Sequence, residues 1–253
     1  MCTKPAATHG SAELAVIREF HRLSRADLKA VGALCHWRRY LAGQVILRYQ
    51  DDSNDVFFIV EGTVRFTYYS ASGHEVILAD LSVGEIFGEL SAIDGRLRSA
   101  NAVARTGTLV ASMPASAFLN LIHSSREVAS AILMRLSGKV RRLTERLFDY
   151  STLAVRSRIH AELLRMATDD ADGSNTAFIS PAPTHSDLAN LISTHREAVT
   201  RELNSLTRNG LIQRRKQGLV ILDLARLRQM VIEVRGGVES CAPESPSGAL
   251  PAP

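Results

Sequence analysis

The sequence predicts an α+β protein in which a small β-rich domain, a long helix and a mainly helical carboxy-terminal domain follow one another. Three observations lead to this prediction. Between Gly43 and Met113, five short runs rich in β-branched and aromatic residues are typical of an antiparallel barrel or sandwich. From Arg126 to about Tyr150 the apolar period becomes that of a helix. Beyond Ser157, two helices separated by a tight turn precede a basic hairpin.

Composition limits the class of protein. The 253 residues, 45% of them hydrophobic and 22% charged, are enough for about two globular domains. The net charge of +4 is compatible with a polyanionic partner and equally with a basic protein that has none. Cys2, Cys35 and Cys241 form no Cys/His cluster, so we predict no metal site. A signal peptide and an apolar run of roughly 18 residues are both missing, so we expect a cytoplasmic protein without membrane contact.

The predicted domain boundaries follow shifts in composition. Gly, Pro, Ser and Ala dominate both ends, so we expect a partly disordered extension over 1–19 and a disordered tail over 236–253. The β-rich domain is predicted over 20–125, the long helix and a hinge over 126–156, and the carboxy-terminal domain over 157–235.

The β-rich domain is predicted to begin with a helix. Leu28, Val31 and Leu34 recur at three-residue spacing behind Ser24, a residue type that caps helices. The strands that follow are QVILRY, DVFFIV, TVRFTYY, EVILADL and TLVASM. Short turn signals separate these runs, which favours antiparallel pairing.

The long helix carries an apolar seam. Leu136, Val140, Leu143, Leu147 and Tyr150 step alternately by four and three residues, the repeat of a coiled coil. We therefore predict a parallel homodimer. A long helix that packs only on its own barrel is the alternative interpretation of these two heptads.

The carboxy-terminal domain is predicted to contain two helices, about Ser186–Leu191 and His195–Arg208. Thr194 with Glu197 three residues later is typical of a capping box at the start of the second helix. Gly210, preceded by asparagine, is the expected left-handed stop. This order of cap, turn and stop predicts a helix-turn-helix unit.

The second helix carries side chains suited to reading bases. Arg196, Glu197, Thr200 and Arg201 share an arc near its amino end, where a helix in the major groove faces base edges. Arginine can pair with guanine and glutamate with cytosine, each discriminating by about 1–3 kcal/mol. A solvated charged face on a structural helical hairpin is the alternative.

The segment GLIQRRKQGLVILD is basic and is predicted to form a hairpin with Gly218 in its turn, a wing along the phosphate backbone. The predicted DNA-binding residues are Thr194, His195, Arg196, Glu197, Thr200, Arg201, Arg215 and Lys216.

The stretch GEIFGELSAIDGRLRSANAVA, Gly84 to Ala104, resembles the phosphate-binding cassette of cyclic nucleotide-binding domains. With ILMRLSGKVRRLTERL as the central helix and HREAVTREL in the helix-turn-helix, the resemblance extends from about Phe20 to Asp223. It is to the cyclic AMP receptor protein (CRP/FNR) family of bacterial transcription regulators. The resemblance implies a jelly-roll β-barrel, a central dimerisation helix and a winged helix-turn-helix domain.

The resemblance also implies roles for the residues of the cassette. Arg98 would hold the cyclic phosphate, Glu89 would accept the ribose 2′-hydroxyl, and Gly88 would let the main chain approach the ligand. The implied cyclic nucleotide-binding residues are Phe87, Gly88, Glu89, Leu90, Ser91, Arg98, Ser99 and Thr144. A surface ion pair that closes a loop is the alternative for Glu89 and Arg98, and an ordinary exposed helix residue is the alternative for Thr144.

The implied function is a homodimeric regulator in which cAMP or cGMP, without a metal, switches on binding to promoter DNA. A TGTGA-like palindrome and contact with RNA polymerase follow from the same resemblance. One alternative is a regulator of this fold that answers to another effector or to none. The other is an enzyme that uses Glu89 and Arg98, but no G-x-S-x-G, H-E-x-x-H or P-loop pattern occurs, so we predict no enzymatic activity.

Overall fold

A computed structural model describes residues 11–69, 75–169, 174–216 and 218–236. The chain divides into two compact units, Met1–Arg135 and Leu136–Pro253. Residues 1–10 and 237–253, for which we predicted disorder, lie outside the described residues. Within the described ranges, none of the helices combines the length and apolarity needed to cross a bilayer.

The helices are α1 (Arg25–Ala33), α2 (Glu89–Asp94), α3 (Ala115–Ser124), α4 (Arg126–Thr152), α5 (Val155–Met166), α6 (His185–Leu191), α7 (Arg196–Arg208) and α8 (Leu224–Val234). Two 3-10 helices, Ser11–Val16 and Arg18–Phe20, precede them. The strands are β1 (His36–Tyr40), β2 (Val45–Leu47), β3 (Val56–Glu61), β4 (Thr63–Tyr69), β5 (Glu75–Ser82), β6 (Ile86–Phe87), β7 (Asn101–Ala104), β8 (Thr108–Met113), β9 (Thr168–Asp169), β10 (Ala177–Ile179), β11 (Ile212–Arg215) and β12 (Gly218–Ile221).

The first unit contains two four-stranded antiparallel sheets, ordered β1-β8-β3-β6 and β2-β7-β4-β5. In the described part of the chain no strand belongs to both sheets, so the predicted barrel is a jelly-roll-like sandwich and is not closed. The chain passes from one sheet to the other at Gly62, which lies between β3 and β4 with a φ of +84°. A Cβ there would lie 2.5 Å from the main-chain oxygen of Gly107, so the corner requires glycine.

The core of this unit lies between the sheets and includes side chains from both of them. Phe57 of β3 and Phe87 of β6 stack with ring centroids 4.9 Å apart, and Phe66 of β4 meets Phe87 edge-on at 5.3 Å. Leu14 and Ile17 are fully buried. That part of the predicted extension therefore belongs to the core, because these apolar side chains are removed from water.

The predicted first helix is confirmed as α1. The Ser24 hydroxyl accepts a hydrogen bond from the Asp27 amide at 3.1 Å. The Asp27 side chain accepts in turn from the Ser24 amide, which completes a capping box. Leu28 and Val31 are buried, whereas Leu34 is 50% exposed because it lies at the C-cap, where the helix ends.

The second unit contains the two predicted helices, α6 and α7, within one residue of the expected bounds. The predicted stop is confirmed, since Gly210 has a φ of +70°. The capping box predicted at Thr194 is wrong. His195 is the N-cap of α7 and its side chain makes no capping hydrogen bond, so the helix begins one residue later than that motif requires.

The hairpin of β11 and β12 is present, but Gly218 is not in its turn. It is the first residue of β12 and pairs with Arg215. A Cβ on Gly218 would lie 2.3 Å from the Ile179 main-chain oxygen and 2.7 Å from the Phe178 ring, so packing against β10 requires the glycine. Strand β10 and the short β9 were not predicted, and they extend the hairpin to a four-stranded sheet.

Candidate functional site

The cassette segment turns sharply between β6 and α2. Gly88 is the N-cap of α2 and has a φ of +80°, a conformation that favours glycine. A Cβ at this position would lie 2.7 Å from the main-chain oxygen of Asp55 and 2.8 Å from Nη1 of Arg98. The glycine is therefore needed both for the backbone conformation and for the close approach of the arginine.

Arg98 is buried, with an exposed fraction of 2%, and three protein groups hold its guanidinium. Nη1 donates to the Gly88 main-chain oxygen at 3.0 Å, Nη2 to that of Asp55 at 2.8 Å, and Nε to the Ser53 hydroxyl at 3.0 Å. Burial lowers the pKa of Arg98, and the nearby carboxylates of Asp55, Asp51 and Glu89 oppose that effect. An arginine has five N–H donors, and these three bonds account for three of them.

Glu89, the first residue of α2, is 1% exposed. Since Arg98 is buried as well, the alternative of a surface ion pair does not describe these two side chains. A buried charge is costly unless it is compensated. An opposite-charge pair of this kind suits a ligand that carries an anion beside a hydroxyl group.

The other predicted residues of the cassette differ in burial. Phe87 and Ser91 are buried, Leu90 is 43% exposed, and Ser99 is exposed. Thr144 belongs to the second unit, where it is exposed and its hydroxyl donates to the Val140 main-chain oxygen at 3.0 Å. Its contact with a purine base stays a prediction.

The loop before β3 completes the surroundings of Arg98, and sequence reasoning missed it. The Gln50 amide, from a residue with a φ of +64°, donates to the Arg98 main-chain oxygen at 2.9 Å. The Arg98 amide donates to the main-chain oxygen of Asp51 at 3.0 Å. Main-chain acceptors leave no residue-type signal, so only the hydroxyl of Ser53 could have been suspected from the sequence.

The arc of α7 is arranged as predicted. Val199, Leu203 and Leu206 are buried, whereas Arg196, Glu197 and Arg201 are exposed. The predicted reading residues other than Thr200 are therefore available to a partner.

Thr200 is half-buried and its hydroxyl already has two partners. It donates to the Arg196 main-chain oxygen at 2.9 Å and lies 2.8 Å from Nδ1 of His185. Burial, followed by the charges of Arg214 and Arg196, lowers the pKa of His185. Sequence reasoning did not identify His185 as a neighbour of Thr200, because a histidine in an opening helical turn has no distinctive pattern.

The turn and the wing carry the remaining predicted DNA-binding residues. The Thr194 amide donates to the Ala189 main-chain oxygen at 2.9 Å, which closes the turn between α6 and α7. His195, Arg215 and Lys216 are exposed. Their contacts with DNA stay predictions.

The apolar seam of α4 is largely exposed in the single chain. Val140, Leu143 and Leu147 are 63%, 66% and 67% exposed. Tyr150 differs from them, because its hydroxyl donates to the Leu191 main-chain oxygen at 2.6 Å within the second unit. In the described ranges, no group of three or more His, Cys, Asp or Glu side chains is arranged to hold a metal ion.

Two family models match this chain, and they match it in the order of the two units. The cyclic nucleotide-binding domain matches residues 37–125, and the Crp-like helix-turn-helix domain matches residues 157–230. The first match contains the whole cassette and the second contains both α6 and α7.

Individual relatives agree with these models. The chain is 26% identical over 193 residues to the cAMP-activated global transcriptional regulator Vfr of Pseudomonas aeruginosa, covering 75% of this chain and 90% of Vfr. It is 29% identical over 194 residues to the cyclic AMP receptor protein of Thermus thermophilus, covering 77% and 87%. The structure of the c-di-GMP responsive global regulator CLP of Xanthomonas campestris shares the fold, with a TM-score of 0.64, 22% identity and coverage of 79% and 99%.

Proposed function

Because this chain belongs to the CRP/FNR family of transcription regulators, we propose that cAMP or cGMP binds at the cassette and switches a homodimer to binding promoter DNA. The observation that carries the proposal is the buried guanidinium of Arg98, held by Gly88, Asp55 and Ser53 beside the buried carboxylate of Glu89.

The chemistry of a cyclic nucleotide matches these groups. Its phosphate carries a negative charge, and charge-assisted hydrogen bonds from a fixed guanidinium are about twice as strong as neutral ones. Its ribose 2′-hydroxyl can donate to an ionised carboxylate. Arg98 therefore takes the phosphate and Glu89 takes the sugar, while the bonds to the protein keep the arginine from reorganising when the ligand arrives.

The relatives favour cAMP over cGMP as the first ligand to test. Vfr is named as cAMP-activated, and the Thermus thermophilus relative is named as a cyclic AMP receptor protein. The rival regulator with another effector is disfavoured, because Glu89 and Arg98 are both present and both buried.

For the DNA contact, the exposed side chains of Arg196, Glu197 and Arg201 read a TGTGA-like half-site in the major groove. Arg215 and Lys216 of the wing contact phosphates and are not selective for sequence. A cytoplasmic location and a contact with RNA polymerase belong to the same proposal, since a promoter-binding regulator acts where transcription occurs.

The homodimer places two copies of α7 on a palindrome. The exposed seam of Val140, Leu143 and Leu147 supplies the apolar contact between the copies of α4. Two-fold symmetry then sets the half-sites about one helical turn apart. A ligand can shift such a dimer toward DNA binding only by its different affinity for the two arrangements.

The test is fluorescence anisotropy with a labelled duplex that carries a TGTGA palindrome, without nucleotide, with cAMP and with cGMP. We expect at least one nucleotide to raise DNA affinity about tenfold, within the usual range of allosteric coupling. Arg98→Leu should abolish the response and keep the basal affinity. Arg96→Leu, which removes an exposed arginine two residues away, is the matched control and should respond normally. Identical DNA affinity of the wild type in all three conditions would refute the proposal.

A further inference from the structure

Two partly exposed tyrosines, Tyr49 and Tyr68, contact each other where the interior face of the first unit reaches solvent. The rings of Tyr49 and Tyr68 meet edge-on, with centroids 4.8 Å apart and an angle of 73° between planes. Each residue is 38% exposed, and the two hydroxyl oxygens are 3.4 Å apart. Side chains alternate along a strand, so Tyr68 lies on the same face of β4 as Val64 and Phe66, which pack in the core.

Main-chain bonds attach this pair to the segment that carries Arg98. The Gln50 amide donates to the Arg98 main-chain oxygen at 2.9 Å. The neighbouring amide of Tyr49 donates to the Asn101 side-chain oxygen at 3.0 Å, and the Asn101 amide group donates to the Thr67 main-chain oxygen at 3.4 Å. These bonds hold Tyr49, and Tyr68 beside it, next to Asn101, which lies three residues after Arg98 in the chain.

A series of aromatic contacts leads from Arg98 to the strand that carries Tyr68. The guanidinium carbon of Arg98 lies 5.8 Å from the ring centroid of Phe57. Phe57 stacks on Phe87, and Phe87 meets Phe66, which is two residues before Tyr68 on the same strand. These phenylalanine rings belong to the core, and their contacts connect the surroundings of Arg98 to β4, the strand that also carries Tyr68.

We propose that Tyr49 and Tyr68 form the platform on which the base of the bound nucleotide stacks, and that this platform selects purine over pyrimidine cyclic nucleotides. The inference rests on the proposed function, because it takes the phosphate to lie at Arg98. A two-ring purine covers more of the pair than a one-ring pyrimidine, and base-aromatic stacking is a substantial source of affinity. The predicted contact from Thr144 is then not required for base binding.

The hydroxyls suit this role. The hydrogen bond with Tyr49 raises the pKa of Tyr68, so its phenol stays neutral at physiological pH. A neutral hydroxyl can donate to a ring nitrogen or accept from an exocyclic amine of a purine. Both adenine and guanine offer such groups.

The experiment is calorimetric titration with cAMP, cGMP and cyclic CMP of the wild type, Tyr49→Ala and Tyr68→Ala. We expect each variant to lose about tenfold in affinity for the two purine nucleotides and clearly less for cyclic CMP. Tyr68→Phe should retain purine affinity within about threefold, since it keeps the stacking ring. Tyr69→Ala is the matched control: Tyr69 is 53% exposed on the opposite face of β4, its hydroxyl bonds Glu75, and its loss should change nothing.

The outcomes separate this inference from the proposed function. If both alanine variants bind cAMP and cGMP like the wild type while Arg98→Leu has lost binding, the platform is wrong and the proposed function stands. An equal loss for all three nucleotides would overturn the platform as a purine selector. If the wild type binds none of the three, both proposals fail together.

Discussion

Gly88 and Arg98 are in contact in a way that leaves no room for a side chain at position 88. Nη1 of Arg98 donates to the Gly88 main-chain oxygen at 3.0 Å, and a Cβ on Gly88 would lie 2.8 Å from the same nitrogen. Gly95, at the other end of α2, also has a positive φ of +67°, but nothing lies within 4 Å of its Cβ position. Comparing alanine substitutions at the two glycines therefore distinguishes the cost of backbone strain from the cost of crowding.

Gly88→Ala should destabilise the first unit more than Gly95→Ala and should abolish cyclic nucleotide binding. Both changes force alanine into a left-handed conformation at a cost of about 1–2 kcal/mol. Only the first also displaces Arg98 or the main chain of Asp55. Urea denaturation and cAMP titration of the two variants check this, and equal stability with equal nucleotide affinity would contradict it.

The candidate cassette could be recognised in the sequence because its key residues have distinctive chemistry and spacing. Phe87, Gly88, Glu89 and Arg98 lie within twelve consecutive positions of the chain. What holds Arg98 could not be predicted, because two of its three acceptors are main-chain oxygens and any residue supplies one. Local pattern therefore identified the charged groups and not the loop that orients them.

In the second unit, Asp149 near the end of α4 is bound by Arg235, which directly follows α8. Asp149 is 3% exposed and accepts from Nε of Arg235 at 3.0 Å and from Nη2 at 2.8 Å. It also forms a close ion pair with Arg165 of α5. The hinge that we predicted within residues 126–156 stays a prediction, and motion at the end of α4 would have to break these contacts.

Arg235→Ala should destabilise the second unit by an amount near the lower end of the roughly 3–5 kcal/mol observed when a buried ion pair loses one partner. The lower end applies because Arg165 remains beside Asp149. Arg208→Ala removes the same charge from an exposed position of α7 and should cost no more than about 0.5 kcal/mol. Urea denaturation, monitored by circular dichroism, gives the free energy of unfolding of each variant. Equal stability of the two variants would show that the buried pair contributes little.

The proposed DNA-reading residues and the proposed phosphate-contacting residues of the wing should respond differently to substitution. Arg201→Ala should lower affinity for a TGTGA-containing duplex by about 1–3 kcal/mol and relax preference at one base pair. Arg215→Ala should weaken binding to all duplexes about equally and reduce the slope of affinity against salt by about one. Anisotropy titrations with specific and scrambled duplexes at several salt concentrations distinguish these effects. The same loss on both duplexes from both variants would contradict the assignment.

The helices of the second unit were easier to predict than its sheet. Val199, Leu203 and Leu206 recur at helical spacing, and burial confirms that they face inward. The two-residue β9 and three-residue β10 are too short for a recognisable alternation, and they exist only because they pair with each other and with β12. Gly218 was misplaced for the same reason, since its need for glycine arises from a distant strand.

His160 on α5 and Glu202 on α7 form a buried pair, with Nε2 of His160 2.7 Å from Oε1 of Glu202. Arg156 donates to the same oxygen at 3.0 Å. Burial lowers the pKa of His160 by more than the bond to Glu202 raises it. At neutral pH the imidazole is therefore mostly uncharged, and its Nε2–H donates to the Glu202 carboxylate.

A histidine whose pKa is lowered by folding makes stability depend on pH in one direction. Below its ordinary pKa of about 6.5 the unfolded chain takes up a proton that the folded protein does not, so stability falls as pH decreases. His160→Gln keeps an amide donor for Glu202 and removes the titration, so it should lose less stability than the wild type between about pH 7 and pH 5. His185, whose pKa is also lowered, acts in the same direction, so the dependence should shrink and not vanish. His195→Gln, which removes an exposed imidazole, is the control in urea denaturation at both pH values. If His160→Gln and His195→Gln lose stability to the same extent as the wild type, the buried imidazole does not govern this pH dependence.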